Sequence, residues 1–234
     1  MKIAGLQKMT LLDFPGRVAC TIFLEGCNFR CPFCHNTPLL EGKTQPVLTE
    51  EELLAFLKKR QGVLDGVCVT GGEPTLQKEL PEFLGKIKAM GYAVKLDTNG
   101  YRPEVLRCVV EQGLVDYVAM DIKNSPERYN MTAGVKVDLK KIEESILYLV
   151  SGKINYEFRT TVAAPLHDTQ SIRDMGQWLR NTTGEKLVNA LYLQAFVERD
   201  TVCFAGLSAP SAETLEGYKN ILVHVAKTID LRGV

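Results

Sequence analysis

Short apolar, β-branched runs recur along this chain, separated by stretches with helical periodicity. The runs at 18–24, 66–70, 93–97, 117–121, 156–162 and 190–194 predict strands, and the stretches near 50–60, 78–90, 103–112, 138–150, 169–181 and 211–228 predict helices. Several helices carry start signals: Thr49 with Glu52 makes a capping box, Asp138 can accept from orphan amides, and Pro103 fits an opening turn. Gly91 and Gly113 stand where helices should stop. Such alternation implies right-handed βαβ crossovers and a parallel sheet. Six βα units are too few for a closed eight-stranded barrel and predict an open or partial one. No repeat, low-complexity tract or linker divides the chain, so a single domain is expected over residues 1–234.

With 234 residues, 45% of them hydrophobic, the chain can bury a real core. Lys plus Arg equals Asp plus Glu at 28 each, so no global basic field advertises nucleic acid as a partner. No run approaches the ~18 consecutive apolar residues of a membrane span. Residues 1–25 lack the long apolar core and small-residue cleavage site of a signal peptide. The seven cysteines are odd in number and unevenly spread, which argues against a disulfide framework and for a reducing, cytoplasmic setting. Cys20, Cys68, Cys108 and Cys203 each sit alone among apolar neighbours and read as small buried hydrophobes.

The other three cysteines are spaced Cys27-x-x-x-Cys31-x-x-Cys34 directly after the first predicted strand. Cubane iron–sulfur clusters are usually held by four thiolates. Three clustered ligands would leave one iron open to a substrate or cosubstrate, which means chemistry rather than electron relay. Two rivals share the spacing. Cys31-Pro32-Phe33-Cys34-His35 fits the haem-attachment pattern, which belongs to exported proteins, and His35 could complete a zinc site, although adjacent residues 34 and 35 rarely point at one ion.

Active sites of parallel α/β folds lie at the carboxyl ends of the strands. The cysteine loop follows the first predicted strand, Gly71-Gly72-Glu73-Pro74 the second, Asp97-Thr98-Asn99-Gly100 the third and Asp121-Ile122-Lys123 the fourth. Each has a plain structural reading: a tight strand-to-helix turn, an Asn-Gly turn capped by Asp97, and an ion pair between Asp121 and Lys123 on one strand face. Each also has a functional one. Two missing side chains would admit a ligand to the backbone while Glu73 or an exposed carbonyl accepts from an ammonium group, and Asp121 and Lys123 would bind the hydroxyls and carboxylate of a zwitterion.

The cysteine spacing followed by Gly-Gly-Glu-Pro resembles the radical S-adenosylmethionine (SAM) superfamily. Asp13-Phe14-Pro15-Gly16, the run Gly26-Cys27-Asn28-Phe29-Arg30-Cys31-Pro32-Phe33-Cys34-His35-Asn36, and Asp97-Thr98-Asn99-Gly100 narrow the resemblance to glycyl-radical-enzyme activases. The opening Gly5-Leu6-Gln7-Lys8-Met9-Thr10-Leu11-Leu12 before Asp13 is most similar to the activating proteins of anaerobic ribonucleoside-triphosphate reductases. The resemblance implies a partial (β/α)6 barrel of radical SAM type. It implies one [4Fe–4S] cluster on Cys27, Cys31 and Cys34, with the SAM amino and carboxylate groups on the fourth iron. Phe33, Cys34, His35 and Asn36 would lie beside the adenosine, Gly72 and Glu73 at the SAM amino group, and Asp121 and Lys123 at the ribose and carboxylate. Asp97, Thr98, the Ala119 carbonyl and Asp121 match a monovalent-cation site near the SAM carboxylate. Reductive cleavage of SAM would give methionine and a 5′-deoxyadenosyl radical, which removes a hydrogen atom from a glycine of the partner enzyme. A flavodoxin- or ferredoxin-type protein would supply the electron.

Two departures from the family stand out. Formate-lyase activases place a SAM-contacting histidine after the last strand, where Leu193-Gln194-Ala195-Phe196 puts Phe196 here, and no second cysteine-rich insert provides for accessory clusters. Arg159 on the fifth predicted strand could face a SAM oxygen or form an ordinary ion pair. His167 follows that strand without an assigned part, and His224 reads as a packed or surface residue.

Overall fold

The computed structural model describes residues 1–41, 44–202 and 204–233, so the expectation for Cys203 lies outside the described residues. All six predicted strands are present. In chain order the strands are β1 (Ile3–Thr10), β2 (Ala19–Leu24), β3 (Gly66–Gly71), β4 (Ala93–Thr98), β5 (Tyr117–Asp121), β6 (Asn155–Val162), β7 (Val188–Ala195) and β8 (Ala226–Arg232). The helices are α1 (Glu50–Arg60), α2 (Leu80–Ala89), α3 (Pro103–Glu111), α4 (Pro126–Ala133), α5 (Leu139–Val150), α6 (Thr169–Thr183) and α7 (Ala212–Leu222). The architecture is α/β with a parallel-dominated sheet, as the alternation implies. Strands β1 and β8 and helix α4 are additions to the sequence reading. The helix expected over 211–228 stops at Leu222, and its remainder turns into β8.

Contacts divide the chain into two compact units, Met1–Asn28 with Pro38–Ala119, and Phe29–Thr37 with Met120–Val234. In the first, β1 pairs antiparallel with β2, and β2, β3 and β4 run parallel with Thr21 beside Cys68 and Cys68 beside Lys95. Alternation along a strand puts Val67, Val69, Val94 and Leu96 on one face, all fully buried, and Cys68, Lys95 and Asp97 on the other. Leu53 and Leu57 of α1, Phe83, Leu84 and Ile87 of α2, and Leu106 and Val109 of α3 supply the helical share of this core. The Thr49 capping box opens α1, whose acidic first turn and basic last turn both complement the helix dipole.

In the second unit β6, β7 and β8 run parallel, with Arg159 beside Tyr192 and Tyr192 beside Asp230. Phe158, Thr160 and Val162 share the core with Ile142, Ile146 and Leu149 of α5 and Ile172, Met175 and Leu179 of α6. On the opposite face of β6 the buried Glu157 carboxylate accepts both ends of the Arg232 guanidinium, at 2.9 and 3.0 Å. That guanidinium also stacks 3.5 Å from the Tyr192 ring centroid. Among the described residues no helix is long and apolar enough to cross a membrane.

The strand ends that carry the candidate chemistry meet backbone to backbone. A Cβ on Gly71, whose φ is +124°, would stand 2.2 Å from the Leu24 carbonyl oxygen, and one on Gly72 would stand 2.1 Å from that of Gly26. The two glycines therefore let β3 close against β2. Gly71→Ala should cost roughly 2–4 kcal/mol, from overpacking and left-handed strain together. Gly152, with φ +83° but nothing within 4 Å of an added methyl, should lose only about 1–2 kcal/mol on the same change. Urea unfolding of the two variants checks the contrast, and equal losses would remove the close approach from the explanation.

Candidate active site

In the first unit the chain leaving β2 is pinned before it reaches the cysteines. The Gly26 amide donates to the Leu39 carbonyl at 2.7 Å and the Gly26 carbonyl accepts the Glu73 amide at 2.8 Å, while Gln77 Nε2 donates to the Glu25 carbonyl at 2.6 Å. Glu73 itself turns inward. Its Oε1 accepts from the Thr75 amide (3.0 Å), the Thr75 hydroxyl (2.5 Å) and the Thr98 hydroxyl (2.8 Å), and its Oε2 accepts from the Asn99 amide (2.6 Å). Burial pushes this carboxyl up, and those four donors oppose the shift. The side chain expected to meet an ammonium group thus holds the ends of β3 and β4 together.

Asn99 continues the network by donating from Nδ2 to Asn28 Oδ1 at 2.8 Å. That leaves Asn28 Nδ2, next to Cys27, buried with no acceptor among the described residues. Thr98 Oγ1 and Asn99 Oδ1 cap the Asn-Gly turn, accepting from the Gly100 and Tyr101 amides at 3.1 and 3.0 Å. The Asp97 carboxylate is held by the buried Lys95 ammonium and the Cys68 thiol, whose Sγ is 3.7 Å from Asp97 Oδ1 and 3.8 Å from Lys95 Nζ. Cys68 is therefore part of a polar cluster as well as a buried residue. Cys20 keeps the plainer reading, since burial pushes its thiol up to about 12. Cys108 is partly exposed on α3.

In the second unit the loop carrying Cys31 and Cys34 is fastened at several points. The Arg30 amide donates to the Ala133 carbonyl at 2.8 Å, the Cys34 amide to the Cys31 carbonyl at 3.0 Å, and the Thr37 hydroxyl to the Cys34 carbonyl at 2.9 Å. Gly134, left-handed at the end of α4, permits this approach, because a Cβ there would stand 1.9 Å from the Arg30 carbonyl oxygen. His35 Nε2 lies 2.6 Å from the Val197 carbonyl, and its ring stacks on Phe196 at 5.9 Å. Phe196 is 1% exposed in a cluster with Phe33, Ala163 and Leu166. It packs against the cysteine loop through Phe33 and stacks on His35. Asn36 is half-buried on the same loop.

Asp121 and Lys123 pair as their shared strand face suggests, Nζ to Oδ2 at 3.0 Å, and Arg159 Nε donates to the other oxygen, also at 3.0 Å. Arg159 thus forms the ion pair that is one of its two expected roles. Burial disfavours the Lys123 ammonium, but Asp121 and the Cys31 sulfur outweigh it and hold the lysine protonated above its ordinary value. For Cys31 burial dominates and pushes the thiol up, with Lys123 opposing. The ammonium also sits 5.7 Å from the Phe33 ring centroid. Among the described residues no three His, Cys, Asp or Glu side chains are gathered as ligands of one metal ion.

His167 gains a part that its sequence position does not disclose. Its ring lies between two backbone groups, Nε2 donating to the Lys123 carbonyl at 2.8 Å and Nδ1 accepting from the Ala163 amide at 3.3 Å. Asn124 reinforces the junction, donating to Leu166 O and Thr132 Oγ1 at 2.9 and 3.0 Å. Burial lowers the His167 value below its ordinary 6.5 and keeps it neutral. Because the folded value is depressed, this contribution to stability is complete above the unfolded value and is lost as pH falls through the folded one. Wild type should therefore lose stability below about pH 6.5 at up to ~1.4 kcal/mol per pH unit from this group, a component absent in His167→Gln. Denaturation midpoints across pH check it, and identical slopes would free His167 from the acid response.

Comparison with known proteins agrees with this geometry. The family described as the radical SAM superfamily matches residues 21–181. A putative glycyl-radical enzyme activating enzyme from Methanocaldococcus jannaschii is 33% identical over 188 residues, covering 76% of this chain and 75% of the relative. A probable GTP 3′,8-cyclase from Thermococcus kodakarensis is also 33% identical, over 167 residues, but the match spans 68% of this chain and only 51% of that protein. Among solved structures, a domain of a pyruvate-formate lyase-activating enzyme from Bacteroides vulgatus superposes with a TM-score of 0.58 at 20% identity, covering 72% of this chain and 99% of that one. With its cysteine motif inside the matched residues, the chain belongs to the radical SAM superfamily.

Proposed function

We propose that this radical SAM enzyme is a glycyl-radical-enzyme activase whose partner is an anaerobic ribonucleoside-triphosphate reductase. The observation that carries the reading is the donor set: three thiols on one loop, a buried amide donor beside the first and a fixed ammonium beside the second. These groups fit a thiolate-bound cluster. Cys27, Cys31 and Cys34 would hold it, Asn28 Nδ2 offers an N–H that finds no acceptor among the described residues, and Lys123 offsets negative charge at Cys31. When bound, the cluster and SAM supply one-electron cleavage of the sulfonium and the hydrogen-abstracting radical.

The protein's own work is orientation and exclusion of water. Phe33, His35 and Asn36 form the adenosine wall, and His35 is oriented by the Val197 carbonyl and Phe196. The Gly72–Glu73 turn offers backbone oxygen to the SAM amino group, and Asp121 and Lys123 meet the ribose and carboxylate. Lys123 is preset for this by Asp121 on its ammonium and His167 on its carbonyl. The activase reading is supported by the relative that matches over three quarters of its own length. The cyclase reading rests on a match to about half of that protein. The choice of reductase rests on the opening residues 5–16.

The deciding measurement is 5′-deoxyadenosine formed per glycyl radical, with and without a panel of glycyl-radical enzymes and with a reduced flavodoxin or ferredoxin as donor. Cleavage should be slow and uncoupled alone, and should become coupled, with a glycyl EPR doublet, only with the cognate reductase. Fast turnover of a small metabolite without a protein partner would promote a small-molecule radical SAM enzyme instead.

Two variants separate cluster from cosubstrate. Cys31→Ala should lose iron and sulfide. Lys123→Ala should retain both but bind SAM about 10- to 150-fold more weakly, the equivalent of a charge-assisted hydrogen bond of roughly 1.5–3 kcal/mol. Titrating SAM against the EPR spectrum of the reduced cluster reads the second effect, and unchanged affinity would return Lys123 to a purely structural ion pair.

A further inference from the structure

The residues matching a monovalent-cation site do not fit one. Asp97 Oδ1 already carries the ammonium of Lys95, a side chain 1% exposed that lies two residues earlier on the same face of β4. Thr98 Oγ1 donates to Glu73 and accepts from the Gly100 amide, so one of its two acceptor positions is already taken. The two oxygens of Asp121 are divided between Lys123 and Arg159. A metal cation brought to Asp97 would enter against an ammonium already in contact with the same carboxylate, and like charges at that range repel strongly in a partly desolvated site.

We infer that this chain neutralises its strand-end carboxylates with built-in cations, Lys95 serving at Asp97 as the counter-ion that a bound monovalent metal would otherwise provide. Lys95 is a positioning residue. It holds Asp97, and its neighbour Cys68 across the parallel β3–β4 pair, in one orientation beside the Thr98–Asn99 turn. The assignment deepens the SAM-binding reading and rests on it for the ligand, but the counter-ion itself is testable without SAM. A largely buried carboxylate stripped of its fixed cation is strongly destabilised. Removing the lysine should therefore create a demand for a small cation that the native protein lacks.

The test uses the cluster-reconstituted protein under anaerobic conditions in potassium, sodium or choline chloride at equal ionic strength, reading thermal unfolding and SAM affinity. Wild type should give the same unfolding midpoint in all three salts and SAM affinities within about twofold of each other. Lys95→Met should bind SAM about ten-fold or more weakly in choline, with potassium or sodium restoring part of the loss and raising the unfolding midpoint. Lys95→Met/Asp97→Asn, with no charge left to neutralise, should show no salt preference. Wild type that needs potassium or sodium overturns the inference, as does a Lys95→Met protein that matches wild type in every salt. If Lys95→Met does not fold, the wild-type series and the double variant decide by the same criteria. Failure to bind SAM at all would count against the proposed function, whereas the unfolding midpoints would still judge the counter-ion.

Discussion

The buried carboxylate of Glu73 is the constraint on which the first unit's functional end depends. Four donors converge on it, two from Thr75 and one each from Thr98 and Asn99, so the turn after β3 and the turn after β4 are referred to one pair of oxygen atoms. A carboxylate out of water is costly unless its lone pairs are satisfied, and this one has little freedom to be anything but a structural hub. Through Asn99 the hub reaches Asn28, and through the Glu73 amide it reaches Gly26. The residues on either side of Cys27 are thereby fixed by the protein's own hydrogen bonds. Such preorganisation would serve the thiolate ligand proposed at Cys27, since a ligand on a mobile loop would have to be ordered at the moment of binding.

The second unit reaches the same end by different means. Its part of the cysteine loop is held by close backbone approach at Gly134, by a stacked pair of rings and by carbonyl acceptors. Lys123 is fixed at both ends, its ammonium by Asp121 and its carbonyl by His167. Neutral His167 suits this task because one ring nitrogen must donate while the other accepts, which only the uncharged imidazole can do. Burial and function agree here, since the environment that lowers the histidine's affinity for a proton is the one that keeps it bifunctional.

Much of this is legible from spacing and periodicity, and the exceptions have physical causes. The six central strands and the helices α1, α2, α3, α5 and α6 are written in apolar runs, caps and terminal glycines that act locally. Strand β8 is hidden because Leu222 to Ala226 holds no glycine, proline or asparagine to announce a break, so the apolar helical pattern runs straight into it. Helix α4 does announce itself, with Pro126 at its first position and Gly134 just past its end, but it lacks the strong apolar stripe that periodicity responds to. Among the candidate site residues, Asp121 and Lys123 could be paired from alternation alone. The inward turn of Glu73 and the support of His35 by Phe196 could not, because they depend on partners 25 and 161 residues away in sequence.

The same alternation explains why charge is arranged as it is at the strand ends. Lys95 precedes Asp97 by two residues on β4, and Asp121 precedes Lys123 by two across the end of β5. A two-residue spacing puts both members on one face whatever the tertiary packing does, so each carboxylate has a cation supplied by its own strand. Neither pair has to wait for a distant element to dock before its charge is balanced, and neither leaves an isolated ion to be desolvated if docking is imperfect. A tertiary cation, Arg159, then adds orientation by taking the Asp121 oxygen that Lys123 leaves. Each strand end built this way stays nearly neutral while its polar groups keep fixed directions, because the balance of charge is set by the strand's own periodicity and only refined by tertiary contacts.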